Sequence, residues 1–346
     1  MSDPVLTRSL LERLPKAELH CHLDGSVRPA TMLELAREYG VTMPREDPED
    51  LGDYMLVTDA RNLEDYLQRF DVTLSVMQTT DALERIAYEL AADASREGVR
   101  YLETRFAPVL NTRGGLELGA TVEAAVNGLQ RAEREFGIVG RVIICSLRHL
   151  SVQTSMELAR LAVAYHGRGV VGFDLAGGES GHPASTHAAA FAWAQQHGVP
   201  CTCHAGEGDG AASVAQAMHE CAAHRLGHAT RLIEDPALVE EARASQVALE
   251  ICLTSNVQTH AARDYESHPL RRYFDAGLNV VLNTDNRLMS GVNLVDEYEH
   301  AVRAFGFTFD ELARIALNGF ASAFIAAPER DALLAKARAD IEALRA

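Results

Sequence analysis

Eight times along this chain a short apolar run rich in Val, Ile and Leu alternates with an amphipathic stretch, and that beat restricts the fold more than any other feature. Strands are predicted at 17–23, 99–106, 141–147, 169–175, 199–204, 225–228, 247–253 and 278–284. Helices are predicted at 31–38, 81–98, 116–136, 152–165, 185–197, 211–223, 237–244 and 269–276, with Ser26 and Ser185 as caps. Eight such units predict a closed parallel barrel, an α/β fold of the TIM-like (β/α)8 kind, rather than an open sheet. Residues 41–80 break the rhythm with Pro44, Pro48 and the aromatic positions Tyr54, Tyr66 and Phe70. They read as an inserted helical lobe, whose amphipathic part at 63–77 packs on the core or covers a pocket. Helices dominate after 284. No linker interrupts the chain, so 1–346 is expected to be one domain with a helical insertion at about 41–80.

Hydrophobic residues make up 47% of the chain, enough for a full-sized core without disulfide staples. The net charge of -17 argues against nucleic acid and anionic membrane surfaces as partners, because both are bound through Lys and Arg. Residues 1–13 lack the basic start and apolar centre of a signal peptide, and no apolar run approaches the ~20 residues of a membrane span. The cysteines at 21, 145, 201, 203, 221 and 252 sit in apolar runs and read as buried thiols. Cys201 and Cys203 share a strand face and could form a redox or metal pair, but their apolar neighbours favour a structural role. A cytoplasmic location is expected.

The stretch Ala17-Glu18-Leu19-His20-Cys21-His22-Leu23-Asp24-Gly25 carries the first chemical signal. On a strand, alternation puts His20, His22 and Asp24 on one face, with the imidazoles about 7 Å apart, close enough to share a metal ion. Alone, a His-x-His pair also occurs on solvent-facing strands. Barrel chemistry collects at the C-terminal strand ends, and the polar residues predicted there are His20, His22, Arg105, Asp174, His204, His228, Thr254-Ser255-Asn256 and Asp285. Three histidines and an aspartate suit zinc. Glu207, three residues after His204, could shuttle a proton beside the metal, or simply favour a helix N-terminus. His228 could orient the attacking water from outside the ligand set, and Asp285 could both bind metal and accept a hydrogen bond from that water.

These residues lie in segments that resemble the adenosine deaminase family, a branch of the metal-dependent amidohydrolase superfamily. The matching segments are PKAELHCHLDGS at 15–26, DLAG at 174–177, HAGE at 204–207, RLGH at 225–228, TSN at 254–256 and NTD at 283–285. The resemblance implies one Zn2+ per chain on His20, His22, His204 and Asp285. It also implies Glu207 as proton donor to N1 of a 6-aminopurine, with His228 and Asp285 positioning the zinc-activated water at C6. A purine nucleoside would then be met by His22, by Asp24 at the ribose 5'-hydroxyl and by the Gly177 backbone at N3. Asp24-Gly25 also reads as a plain turn, and Gly177-Gly178 as a loop needing positive φ.

One position departs from the family. Many members carry a second aspartate after the metal aspartate, and this chain has Asn286 followed by Arg287. An asparagine amide donates a hydrogen bond without first being protonated, so Asn286 can still meet purine N7. Arg287 either reaches a larger or anionic 5'-substituent or is held in a salt bridge. The implied reaction is hydrolytic deamination of adenosine and 2'-deoxyadenosine to the inosine products and ammonia. The alternatives are another 6-aminopurine (adenine, or a 5'-modified nucleoside such as 6-aminodeoxyfutalosine) and a purine-binding barrel without catalysis.

Overall fold

The computed structural model describes residues 5–58 and 60–345, with Glu64 described by its backbone. Residues 1–4, part of the N-terminal stretch read above, lie outside the described residues, as do 59 and 346. Eight parallel strands appear in the predicted order: β1 Lys16–His22, β2 Val99–Phe106, β3 Val139–Leu147, β4 Val170–Ala176, β5 Thr202–Ala205, β6 Arg225–His228, β7 Ala248–Ile251 and β8 Asn279–Leu282. Their ladders form two four-stranded sheets, β1-β2-β3-β4 and β5-β6-β7-β8. Two single bridges join the sheets into a ring, Phe173 to Cys201 and Cys21 to Asp285. At the second seam His22 N donates to Asp285 O at 2.7 Å and Asp285 N donates to His20 O at 2.9 Å. The last metal-ligand candidate is thereby tied to the strand that carries the first two.

Strict alternation does not survive along β1. Its register against β2 slips between Glu18 and Cys21, and the side chain of Asn283 accepts both Leu19 N and His20 N, at 2.8 and 3.2 Å. Ala17 and Leu19 join a small apolar cluster with Tyr101, Ile143, Ala248 and Val281. Cys21 and Leu23 belong instead to the large cluster between strands and helices. The slip changes which parity of residue faces the cluster side, so an apolar floor and two histidines arise from the same strand. Phe320, in the last turn of the helix Phe309–Ala321, and Ala323 and Ile325 just after it close that floor from the opposite end.

Elsewhere the boundaries differ where side chains compete for backbone groups. The predicted strand at 247–253 ends at Ile251, and the chain turns into the helix Leu253–Gln258. Buried Glu297 accepts Leu253 N at 2.8 Å and Thr254 N at 3.2 Å, which satisfies the new helix start. Ser26 does not cap the helix Pro29–Tyr39. Its cap residue is Arg28, and Ser26 Oγ donates to His22 O at 2.7 Å. Ser185 lies inside the 3-10 turn Ala184–His187, which precedes the helix Ala188–Gln196. Residues 41–80 hold the helices Pro48–Met55, Leu63–Leu67 and Phe70–Val76. The predicted helix at 63–77 is therefore two short ones, the first closing with the tight bond Gln68 N to Asp65 O. All six cysteines are free and buried. No helix among the described residues is long and apolar enough to cross a membrane.

Candidate active site

Ligating atoms of His20, His22, His204 and Asp285 all lie within 4.8 Å of one another. His20 Nε2 and His22 Nε2 are each 3.4 Å from Asp285 Oδ1, and His22 Nε2 is 3.1 Å from His204 Nε2. The other ring nitrogens fix which lone pairs point inward. His20 Nδ1 meets Glu250 Oε2 at 2.8 Å, and His204 Nδ1 meets Asp174 at 3.1 Å. A carboxylate partner makes each Nδ1 the protonated nitrogen and leaves Nε2 as a lone pair. Buried His20 Nε2 has no hydrogen-bond partner among the described residues. Converging imidazole lone pairs and one carboxylate oxygen repel each other unless a cation sits among them. This donor set fits a divalent metal of the zinc kind.

Beneath the ligands lies a fully buried charged layer. Arg105 donates to Asp174 at 3.0 Å and to Glu250 at 2.9 Å, while Arg225 donates to Glu250 at 2.7 Å and to Glu103. Each carboxylate that orients a histidine is thus itself paired, and the guanidinium of Arg105 helps hold Asp174 and Glu250 well below the usual carboxylate range against burial. Burial and Arg105 push His20 down, yet the nearby carboxylates of Asp285 and Glu250 leave it raised. Burial drives His22 and His228 well below the ordinary imidazole value.

His228 sits at φ 61° and Asp285 at φ 64°, left-handed backbone that side chains other than glycine rarely adopt. Both belong to the site, and neighbours hold both in place. Asn256 Oδ1 accepts from Thr230 Oγ1 at 2.9 Å and His268 Nε2 at 3.1 Å, so its amide nitrogen faces His228 Nδ1 at 2.9 Å. His228 Nδ1 is then an acceptor and its Nε2 carries the proton, 3.4 Å from Glu207 Oε2. Ser255 Oγ donates to Asp285 Oδ2 at 2.6 Å. Glu207 rides on a loop whose backbone N–H groups, Gly206 through Asp209, all bond to the carboxylate of buried Glu179.

These groups open on a cavity of about 280 Å3, shared with Asp24, Gly177 and Asn286 and roofed by Leu63, Tyr66 and Phe70. His20, His22, Asp24, Gly177, His204, Glu207, His228, Asp285 and Asn286 all line this cavity or belong to its ligand cluster. Asp24 is buried with Oδ1 unpartnered among the described residues, and burial raises its carboxyl to about 7. Gly177 takes φ 90°, the conformation expected of its loop. Arg287 does not face the cavity; it is held, half-buried, between Glu18 and Glu97, 2.6 Å from the latter. A 5'-substituent therefore finds no help from Arg287. A larger groove of about 870 Å3 lies at the opposite barrel end around Arg225 and Phe324, away from His20, His22, His204 and His228.

Sequence reasoning missed Glu250, Glu179 and Glu297. A signal existed for Glu250, a charge inside the apolar run Val247-Ala248-Leu249-Glu250-Ile251, since charged residues are rarely buried unless paired. Glu179 and Glu297 sit in a loop and a helix where a glutamate is ordinary.

Comparison with known proteins agrees with this geometry. The sequence profile of adenosine deaminase matches residues 15–339. An adenosine deaminase from Clostridium acetobutylicum is 40% identical over 312 residues, covering 90% of this chain and 93% of that protein. A probable adenosine deaminase from Dictyostelium discoideum is also 40% identical, over 93% of this chain but 42% of its own greater length. Among solved structures, an adenine deaminase from Arthrobacter aurescens aligns with TM-score 0.88 at 29% identity, covering 95% of this chain and 99% of that one. A zinc-bound amidohydrolase from Burkholderia ambifaria aligns with TM-score 0.88 at 27% identity, covering 99% and 95%.

Proposed function

This chain belongs to the adenosine deaminase family and is a hydrolytic deaminase of adenosine; we propose that zinc is its metal and that residues 1–346 form one cytoplasmic deaminase unit acting on adenosine and 2'-deoxyadenosine. One observation carries the assignment of roles: four metal-binding atoms, Glu207 and His228 converge on one cavity whose far wall holds a buried carboxyl. His20, His22, His204 and Asp285 would hold the zinc, which when bound supplies Lewis-acid activation of water. Glu207 delivers a proton to N1, which makes C6 electrophilic. His228, neutral with its proton on Nε2, donates to the oxygen arriving at C6, and the second oxygen of Asp285 is kept aligned by Ser255. The C6–N6 bond then breaks, ammonia leaves with one proton of the added water while the other replaces the proton that Glu207 gave to N1, and the 6-oxopurine remains.

Asp24 favours a nucleoside over free adenine. A buried carboxyl with an unpartnered oxygen loses more when left dry than it gains from an empty pocket, and a ribose 5'-hydroxyl satisfies it. A 5'-phosphate is disfavoured by the same carboxyl, and Arg113 at the rim is held by Asp71 at 3.4 Å. Asn286 meets N7. The test is ammonia release by zinc-loaded protein on adenosine, 2'-deoxyadenosine, adenine and AMP. The expected result is high kcat/KM for the two nucleosides, with Glu207→Gln silent while zinc stays bound. Preference for adenine would overturn the role of Asp24, and loss of zinc in Glu207→Gln would make that residue structural.

A further inference from the structure

Asn286 replaces a carboxyl with an amide, and the two differ in symmetry as well as charge. A carboxyl has interchangeable oxygens and needs only a proton to donate to N7. An amide needs no proton but has one donating end, and a half-turn of its side chain sets oxygen against nitrogen lone pair. Something has to hold the amide the right way round.

Three observations bear on that. Asn286 Oδ1 is buried against Gly25 and has no hydrogen-bond partner among the described residues. The fit is tight enough that a Cβ at residue 25 would lie 2.0 Å from that oxygen. Tyr66, 1% exposed on the helix Leu63–Leu67, brings its hydroxyl within 3.0 Å of Ser290 Oγ, and Tyr66 and Asn286 line the same cavity. Ser290 N in turn donates to Asn286 O at 2.8 Å, so Ser290 ties the Tyr66 hydroxyl to residue 286.

We propose that Tyr66 is a positioning residue for Asn286: its hydroxyl proton goes to Ser290 Oγ, its oxygen accepts one amide N–H, and the other amide N–H is aimed at purine N7. This rests on the reading that Asn286 meets N7. It makes Tyr66 a specificity determinant supplied by the inserted helices rather than by the barrel.

The test is the binding of two analogues to zinc-loaded protein by calorimetry. One is 1-deazaadenosine, which keeps N7 but cannot be protonated at N1; the other is 7-deazaadenosine, with C–H in place of N7. Tyr66→Phe keeps the ring and removes only the hydroxyl. It is expected to weaken 1-deazaadenosine about three- to tenfold, the loss of one neutral hydrogen bond, and to leave 7-deazaadenosine unchanged. In an Asn286→Ala background Tyr66→Phe should add nothing. Equal weakening of both analogues, no weakening of either, or a fully additive double variant would overturn the proposal. If Asn286→Ala itself leaves 1-deazaadenosine binding intact, the assignment of Asn286 to N7 fails, and the role of Tyr66 with it. If Asn286→Ala weakens that analogue while Tyr66→Phe does not, only the role of Tyr66 fails.

Discussion

Glutamine at position 179 would test how much of the catalysis depends on a residue that touches neither metal nor substrate. Glu179 Oε1 accepts Gly206 N at 2.7 Å, and Oε2 accepts Glu207 N, Gly208 N and Asp209 N at 2.9, 2.6 and 3.1 Å. An amide offers a single carbonyl oxygen. Placed where Oε2 lies, it keeps three bonds and sets its own NH2 against the buried Gly206 N–H. The other placement keeps only one. The better case loses one charge-assisted hydrogen bond, about 1.5–3 kcal/mol, before any penalty for the opposed donors. Expressed at the loop, that is about a 10- to 150-fold fall in kcat, because Glu207 no longer reaches N1 at the right distance. His204 lies on β5 ahead of the loop, so metal content should stay at the native level. The assay is steady-state kinetics on adenosine with zinc per chain measured on the same preparation. Native kcat in Glu179→Gln would refute the argument, and so would loss of zinc in step with activity.

Three further outcomes are expected. Gly25→Ala should destabilise by about 1–3 kcal/mol in urea titrations and raise KM for adenosine, because a new Cβ lies 2.0 Å from Asn286 Oδ1. Chelation should abolish activity and lower Tm, and zinc at about a thousandfold excess over Kd should restore about 4 kcal/mol, since the converging ligand atoms repel one another without a cation. Burial raises the Glu297 carboxyl from 4.5 to about 8, so the folded state keeps a proton that the unfolded chain has lost in that window. Stability should therefore fall as pH rises from about 4.5 to 8, and Glu297→Gln should flatten that slope in urea midpoints measured across the range.

The β/α beat and the convergence of the candidate metal-binding side chains were legible because each rests on neighbours along the chain. Apolar runs specify strands locally, and His20, His22, His204, Glu207, His228 and Asp285 each stand at or just past a strand end. Parallel barrel topology then brings strand ends together without further instruction. By the same local logic the sequence marked the candidate ligands and Glu207, and it left Arg287 with two roles between which only its ion pairs with Glu18 and Glu97 decided.

Tertiary structure decided what aims those groups. The slip in β1 depends on Asn283, more than 260 positions away, and Glu250, Glu179 and Asn256 orient His20, the Glu207 loop and His228 from another strand, a loop and a short helix. Nothing along the chain marks such pairs, because a buried carboxylate or amide is chosen by the donors that surround it in space. A strand end can present a histidine by local pattern alone, but its tautomer and direction are set by whichever acceptor or donor the folded barrel brings within about 3 Å.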